Sequence, residues 1–390
     1  MRKVLLLLAL VVTSTVWAAE QKSVKIVEGP YVVAMGADEF TVVWKTDQEA
    51  VAWVEIAPDD GTHFYNCERP KFFQTQYGRK VTGTLHKVRV HGLNPAATYR
   101  YRIINAAVKK GEGDRILYTE QRGSNVYKKK PYFITTPNSN KSSISFAMVN
   151  DIHGKTAELE TLFADAKERK YDFVCFNGDM TSRNNSQAEV FEKYLSSATN
   201  LFAKETPLYF VRGNHETRGA YATSLLELFP STNNNMPYYA FRQGPALFIV
   251  LDCGEDKPDS DMEYSGLACY DQYRTEEAEW LRKVVASEEF RSAPVKIVFC
   301  HIPPETKGWH GAADIHRKFV PILNEAGIDL WLAGHIHKYR LNEAGTNGCN
   351  FPVMCNPNLC RLNATVTANG IDINIFDVNS KCLHTHQIKK

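Results

Sequence analysis

The chain has 390 residues, of which 44% are hydrophobic and 23% charged. This composition excludes a largely disordered protein and leaves room for more than one domain. There are 46 Lys and Arg against 44 Asp and Glu. Loss of an amino-terminal segment containing Arg2 and Lys3 but no acid would leave 44 charges of each sign. The balance argues against nucleic acid or a membrane surface as the main partner.

The amino-terminal segment has the order of features found in a secretory signal peptide. Arg2 and Lys3 precede an apolar run over residues 4–12, and Val16 and Ala18 occupy positions suited to signal-peptidase cleavage. The run is shorter than the roughly 20 apolar residues that a membrane-spanning helix needs. The sequence therefore predicts a signal peptide over residues 1–18, cleavage near Ala18, and a secreted or periplasmic protein with no stable membrane span.

Residues 23–136 show only strand signals. Hydrophobic and polar residues alternate over 40–45, and further strands are indicated near 51–56 and 88–90. A turn containing Pro95 leads into Tyr99 and Tyr101, which fits the corner of a β-sandwich. This part resembles a fibronectin type III-like domain, a small all-β sandwich. The basic stretch over residues 109–130 is interpreted as a solvated loop, with a substrate or partner contact as the alternative.

The pattern changes after a polar linker at residues 135–140. Short apolar runs then alternate with helical stretches at 157–170, 187–200 and 275–287, whose charges lie on one face. This alternation predicts a layered α/β domain over residues 142–390. Residues 359–378 return to a strand pattern.

Five apolar runs of this second region end in side chains that can bind a metal ion. They are followed by Asp151 and His153, by Asp179, by Asn214 and His215, by His301, and by His335 and His337. Ligand sites in α/β proteins form beyond the carboxyl ends of the strands, so these residues should converge at one sheet edge. Glycines before three of them are expected to let the chain turn sharply. Carboxylates, imidazoles and an amide oxygen suit Mn, Fe or Zn better than Ca.

The five motifs, in this order, resemble those of the calcineurin-like metallophosphoesterases over residues 142–378. With the β domain in front, the layout resembles that of purple acid phosphatases and implies an αββα sandwich behind a small β-sandwich. Two positions depart from that pattern. The purple acid phosphatases have a tyrosine ligand where this chain has Ser182, and their first motif lacks the histidine that His153 supplies. The resemblance therefore implies a purple-acid-phosphatase-like architecture with a non-purple metal site.

The resemblance also implies roles for individual residues around two divalent or trivalent metal ions. One ion would be held by Asp151, His153 and His337, the other by Asn214, His301 and His335, and Asp179 would bridge them. A bridging carboxylate agrees with electrostatics, because two dications roughly 3.5–4 Å apart repel each other. A hydroxide shared by the ions would attack phosphorus, and the His215 imidazole would protonate the leaving group.

Substrate contacts are less clearly marked in the sequence. Asn214 and His215 would also face the substrate, and Arg183 could contact its phosphate, although a polar loop explains Arg183 and its neighbours Asn184 and Asn185 equally well. Ser182 leaves open which group orients His215. The candidates for lining a substrate pocket are Tyr238, Tyr239, Trp309 and His310.

Three functions remain open from sequence. The first is hydrolysis of small-molecule phosphate monoesters, and the second is a phosphodiesterase using the same metal centre. The third is a metal-containing binding module without turnover, which is disfavoured because no catalytic position is lost. The sequence does not reveal the oligomeric state. Cys175 and Cys300 are predicted to be buried thiols, and some pairing is expected among Cys349, Cys355, Cys360 and Cys382.

Overall fold

The computed structural model describes residues 23–109, 115–119, 121–123 and 129–390. The predicted signal peptide lies outside the described residues, and the basic stretch over 109–130 lies partly outside them. No helix in the described part of the chain is long and apolar enough to span a membrane.

The amino-terminal part is all β in the ranges that the structure describes. Its strands are β1 (Ile26–Val33), β2 (Glu39–Pro58), β3 (Lys71–Phe73), β4 (Thr75–Gln76), β5 (Arg79–Lys80), β6 (Thr82–His91), β7 (Thr98–Lys109), β8 (Leu117–Tyr118), β9 (Arg122–Gly123) and β10 (Tyr132–Thr135). The long β2 pairs with β1 and β6 through its first half and with β7 through its second. The buried Trp44 joins β2 to β7 by donating from Nε1 to Asn105 Oδ1 at 2.8 Å.

The rest of the chain forms two six-stranded sheets. The first has the order β13-β12-β11-β20-β21-β22 and the second has the order β14-β15-β16-β17-β19-β18. Their strands are β11 (Ser143–Val149), β12 (Phe173–Asn177), β13 (Leu208–Val211), β14 (Tyr239–Gln243), β15 (Ala246–Val250), β16 (Val295–Phe299), β17 (Leu330–Ala333), β18 (Arg340–Asn342), β19 (Val353–Cys355), β20 (Arg361–Thr367), β21 (Gly370–Phe376) and β22 (Cys382–Lys389).

Helices cover the outer faces of both sheets. They are α1 (Thr156–Leu162), α2 (Ala166–Arg169), α3 (Gln187–Val190), α4 (Ser196–Ala198), α5 (Tyr270–Val285), α6 (Glu288–Ser292) and α7 (His310–Ala326). Two π-helical segments, Phe191–Leu195 and Thr199–Ala203, make α3 and α4 parts of one continuous helix. The helix predicted over 157–170 is interrupted between α1 and α2, and α5 begins five residues before the predicted 275.

The core lies in three layers between and outside the sheets. Phe146, Phe173, Phe248 and Phe299 pack against one another between them. Helices α1–α4 bury their apolar residues on the first sheet, and α5 and α7 bury theirs on the second. Each fully buried aromatic side chain contributes about 1.5–3 kcal/mol of transfer free energy. The predicted αββα sandwich is confirmed.

The motif-bearing strands are parallel within each sheet, but they do not all lie in one sheet. β11, β12 and β13 are neighbours in the first sheet, whereas β16 and β17 are neighbours in the second. The prediction of one sheet edge was therefore wrong. An alternating or apolar pattern marks a strand but not its partner, so the pattern alone could not assign the five strands to two sheets.

Candidate metal centre

Five of the predicted ligands lie in left-handed turns directly after their strands. The residues with positive φ are Asp151 (52°), His153 (50°), Asp179 (56°), His335 (68°) and His337 (56°). Residues with a Cβ rarely adopt this conformation, and a cluster of such residues is typical of functional sites. The turns aim all five side chains at the space between the carboxyl ends of the two sheets.

The glycines of the motifs mostly serve close packing rather than turning. Gly178 does have a positive φ, 82°, but Gly213 and Gly334 do not. A Cβ at Gly213 would lie 2.3 Å from Asp179 Oδ1, and one at Gly334 would lie 2.7 Å from Asp151 Oδ2. The predicted turning role is thus wrong for Gly213 and Gly334. At both positions, a carboxylate oxygen lies too close to leave room for a Cβ.

A first cluster contains Asp151, His153 and His337, whose candidate ligand atoms lie within 4.8 Å of one another. His337 Nε2 is 3.1 Å from Asp151 Oδ1 and 3.2 Å from His153 Nε2. Asp151 is buried, and the two imidazoles reach the surface. One carboxylate and two imidazoles form a donor set suited to a transition metal ion.

A second cluster contains Asp179, His301 and His335. His301 Nε2 is 3.0 Å from Asp179 Oδ2 and 3.8 Å from Asp151 Oδ1, so the two clusters are adjacent. Asn214 joins the second cluster, with its Oδ1 3.1 Å from His335 Nδ1. The structure thus brings together all seven residues that the sequence analysis proposed as ligands.

The unsatisfied atoms of these clusters fit a bound cation. Asp151 Oδ1 and His301 Nε2 are buried and have no hydrogen-bond partner among the described residues. His301 Nδ1 donates to the carbonyl of Asn177 at 2.7 Å, which directs Nε2 toward Asp179. Although burial opposes it, the negative field of Asp179 and Asp151 raises the pKa of His301 to about 10. A metal ion placed among these atoms would satisfy the same field.

Asp151 is held so that only one of its oxygens is free. Its Oδ2 accepts from Asn150 Nδ2 at 2.6 Å and from the backbone N–H of His335 at 2.9 Å. Asn150 is in turn held by Asn356, whose Nδ2 donates to Asn150 Oδ1 at 2.8 Å. Sequence reasoning missed Asn356, although it follows β19 in the same way that the predicted ligands follow their strands.

Glu216 is a second residue that sequence reasoning missed. It is completely buried, and its carboxylate accepts three backbone N–H groups, from Gly213, Asp179 and Met180. Burial and the neighbouring Asp179 raise its pKa to about 7. Its position directly after Asn214 and His215 was the available signal.

Ser182 contacts two histidines of the site, one through its backbone and one through its side chain. Its backbone carbonyl accepts from His215 Nδ1 at 2.8 Å, and its Oγ lies 3.2 Å from His153 Nδ1. The carbonyl therefore orients His215, so this orientation does not depend on the side chain at position 182. With Nδ1 engaged, His215 Nε2 faces the clusters, 3.8 Å from Asp179 Oδ2.

In the loop after Ser182, two asparagines make structural hydrogen bonds and one arginine is exposed to solvent. Asn184 is buried, accepts from Thr181 Oγ1 and donates to the carbonyl of His215. Asn185 donates to Glu189. These asparagines hold the loop, whereas Arg183 is exposed next to Ser182.

Three of the four proposed pocket residues have other roles. Tyr239 is buried and exchanges hydrogen bonds with the backbone of Phe210, and Tyr238 is buried near Trp280. His310 contacts Asp271. Only Trp309 among the four is largely exposed, at 57%. Sequence alone does not separate aromatic residues that line a pocket from those that pack in the core.

All nine cysteines lie in the described ranges and are free thiols. Cys175 and Cys300 are buried, as predicted. The pairing expected in the late cluster is not found: Cys349, Cys355 and Cys360 are buried free thiols, and Cys382 is an exposed free thiol on β22.

The αββα sandwich and its paired metal-ligating clusters define a metal-dependent hydrolase of phosphoric esters. The calcineurin-like phosphoesterase family matches residues 144–339, half of the chain, and the chain belongs to this family.

Known relatives narrow the resemblance to one branch. The chain is 22% identical over 354 residues to purple acid phosphatase 18 of Arabidopsis thaliana, covering 87% of this chain and 71% of that protein. It is 20% identical to purple acid phosphatase 23 of the same plant, covering 90% and 74%. Among solved structures, the purple acid phosphatase PPD1 from yellow lupin (Lupinus luteus) seeds aligns with a TM-score of 0.65 and 14% identity, covering 92% of this chain and 74% of that one. The fold is thus purple-acid-phosphatase-like.

Proposed function

We propose that this enzyme hydrolyses small-molecule phosphate monoesters at a centre of two metal ions. The observation that carries the proposal is the adjacency of the two clusters, with His215 Nε2 directed toward Asp179 beside them. This arrangement offers sites for two cations and one proton donor around a common space.

The two clusters suggest which residues hold each ion. Asp151, His153 and His337 would hold one, His301, His335 and Asn214 the other, and Asp179 would bridge them. When bound, the ions supply Lewis acidity and lower the pKa of coordinated water. The mixed nitrogen and oxygen donors favour Mn, Fe or Zn.

The chain's own residues would then position and protonate the substrate. His215, held through Nδ1 by the carbonyl of Ser182, presents Nε2 as the donor for the leaving oxygen. Asn214 would contact the substrate from the second cluster. Arg183 is exposed at the rim and would pair with a phosphate oxygen, since a guanidinium matches phosphate geometry.

An assay with two substrates of one phenol tests the proposal. The enzyme should hydrolyse nitrophenyl phosphate faster than bis(nitrophenyl) phosphate, and it should contain two metal ions per chain by elemental analysis. Preference for the diester would replace the proposal with the phosphodiesterase alternative. Two bound ions without turnover of either ester would indicate a binding module.

Asp179→Asn provides the matched variant. Because the carboxylate serves both clusters, we expect loss of most activity together with a fall in metal content. A variant that keeps two ions and normal turnover would overturn the ligand assignment.

We further propose that residues 1–18 direct export and are removed near Ala18. The basic, apolar and small residues of this segment support the proposal. Mass spectrometry of the protein from its native host should give a chain beginning near Ala19, and an intact amino terminus would refute it.

A further inference from the structure

The loop that carries Asp179 is hydrogen-bonded to neighbouring loops of the site on both sides. Its carbonyls at Gly178 and Asp179 accept the N–H groups of Asp151 and His153, both at 3.0 Å. The carbonyl of Met180 accepts from the N–H of Gly154, which follows His153 in the first motif's loop, at 2.8 Å. The position of the Asp179 loop therefore fixes the position of the first motif.

On its other side, the Asp179 loop donates hydrogen bonds to the carboxylate of Glu216. Its Oε2 accepts from the N–H of Asp179 at 2.7 Å and of Gly213 at 2.9 Å, and its Oε1 accepts from Met180 at 2.9 Å. The ladder between β12 and β13 ends at the pair Asn177 and Val211. One carboxylate thus replaces the ladder beyond the strand ends, where the chains separate to present their ligands.

None of the groups that donate hydrogen bonds to Glu216 carries a positive charge. Its three partners are neutral N–H groups, one of which belongs to Asp179 of the second cluster. Because both oxygens accept, the bonding pattern is that of a carboxylate. A buried negative charge is costly unless a cation lies close to it.

We propose that Glu216 is a positioning residue of the metal centre, which fixes the bridging Asp179 through its backbone N–H and places a third buried carboxylate behind the ligands. The inference rests on the proposed two-metal function. Two dications bring four positive charges into a buried site, and a third carboxylate reduces the excess. Groups of this kind behind metal ligands typically change metal affinity by about 10–100-fold.

Glu216→Gln removes the charge and replaces one accepting oxygen by an amide donor, while it keeps the size of the side chain. We expect the metal-free variant, titrated with Mn²⁺ in a calorimeter, to bind both ions about 10–100-fold more weakly. Glu277→Gln is the matched control, because Glu277 is also fully buried and accepts a backbone N–H, from Asp252 at 2.8 Å. It lies outside both clusters, and its variant should bind Mn²⁺ as the wild type does.

Glu216→Asp keeps the charge but shortens the reach, so it should bind Mn²⁺ more tightly than Glu216→Gln. If the Gln variant does not fold, the Asp variant should still show weakened Mn²⁺ binding. Wild-type Mn²⁺ affinity in whichever variant folds, with only the thermal stability lowered, would overturn the inference and leave Glu216 a scaffold residue. A wild-type protein that binds two ions but hydrolyses no phosphate ester would instead refute the proposed function alone.

Discussion

At the scale of single residues, the hydrogen bond between His215 and Ser182 decides what the imidazole can do. Nδ1 donates to a carbonyl, so only Nε2 is free to exchange a proton with a substrate. A backbone carbonyl also holds the ring without adding a charge. The arrangement therefore suits an acid that must release its proton to a departing alkoxide.

The general-acid role predicts that the importance of His215 depends on the leaving group. General acid catalysis typically contributes about 10²–10⁴-fold. His215→Ala should lose most of that factor on alkyl phosphates but much less on nitrophenyl phosphate, whose phenolate leaves without a proton. The measurement is kcat/KM on both substrates, with metal content on the same sample. Equal losses on the two substrates would rule out the acid role, and lost metal would make His215 a ligand.

Ser182 predicts the colour of the iron-loaded protein. A tyrosinate bound to ferric iron absorbs strongly in the visible range, and this chain has a serine at position 182, where the purple acid phosphatases have their tyrosine ligand. The wild-type protein loaded with iron should therefore lack a purple band. Ser182 Oγ lies 3.2 Å from His153 Nδ1, so a tyrosine at 182 needs the histidine removed. The double variant His153→Ala, Ser182→Tyr is the positive control, and an intense band in the wild type would contradict the prediction.

At the scale of secondary-structure elements, the sequence predicted strand ends better than strand partners. Each predicted ligand follows an apolar run, and that pattern alone located Asp151, Asp179 and His301. It could not show that β16 belongs to a second sheet, because pairing depends on long-range packing. It also missed Glu216 and Asn356, which follow β13 and β19, because a position after a strand does not show whether a residue binds a metal ion or holds a ligand in place.

Strand β6 carries a histidine that should make stability depend on pH. His86 is 3% exposed, lies 2.9 Å from Thr46 Oγ1 and packs on Trp44, and burial lowers its pKa to about 4. The unfolded chain, with a His pKa near the usual ~6.5, binds the proton more readily. Stability should therefore be full above about pH 6.5 and fall by about 2–3 kcal/mol toward pH 4.

The pH dependence can be assigned to His86 by comparing variants. Urea midpoints at pH 7.5 and pH 4.5 should differ less for His86→Gln than for the wild type. His91→Gln, at an exposed histidine of the same strand, should keep the wild-type difference. If His86→Gln loses as much stability as the wild type on acidification, then another group is responsible.

At the scale of the whole molecule, the all-β part packs directly on the first sheet of the sandwich. Tyr31 of β1 is completely buried and donates to the carbonyl of Leu228 at 2.9 Å. Tyr209 of β13, in the sandwich, donates to the carbonyl of Met35 in the all-β part at 3.0 Å. Since β13 leads into Asn214, the contact supports a strand that delivers a proposed ligand. We therefore propose that the β part is a structural support and unfolds together with the sandwich.

Cooperative unfolding can be tested by removing one hydroxyl from this contact. Tyr31→Phe leaves the carbonyl of Leu228 buried without its donor, which should cost about 1–3 kcal/mol. If the two parts form one cooperative unit, calorimetry will show a single transition, shifted as a whole to lower temperature. Tyr77→Phe, at a tyrosine that is 99% exposed, is the control and should leave the transition unchanged. Two separate transitions, with only one of them shifted, would show that the β part folds independently and that its contact with β13 does not stabilise the metal centre.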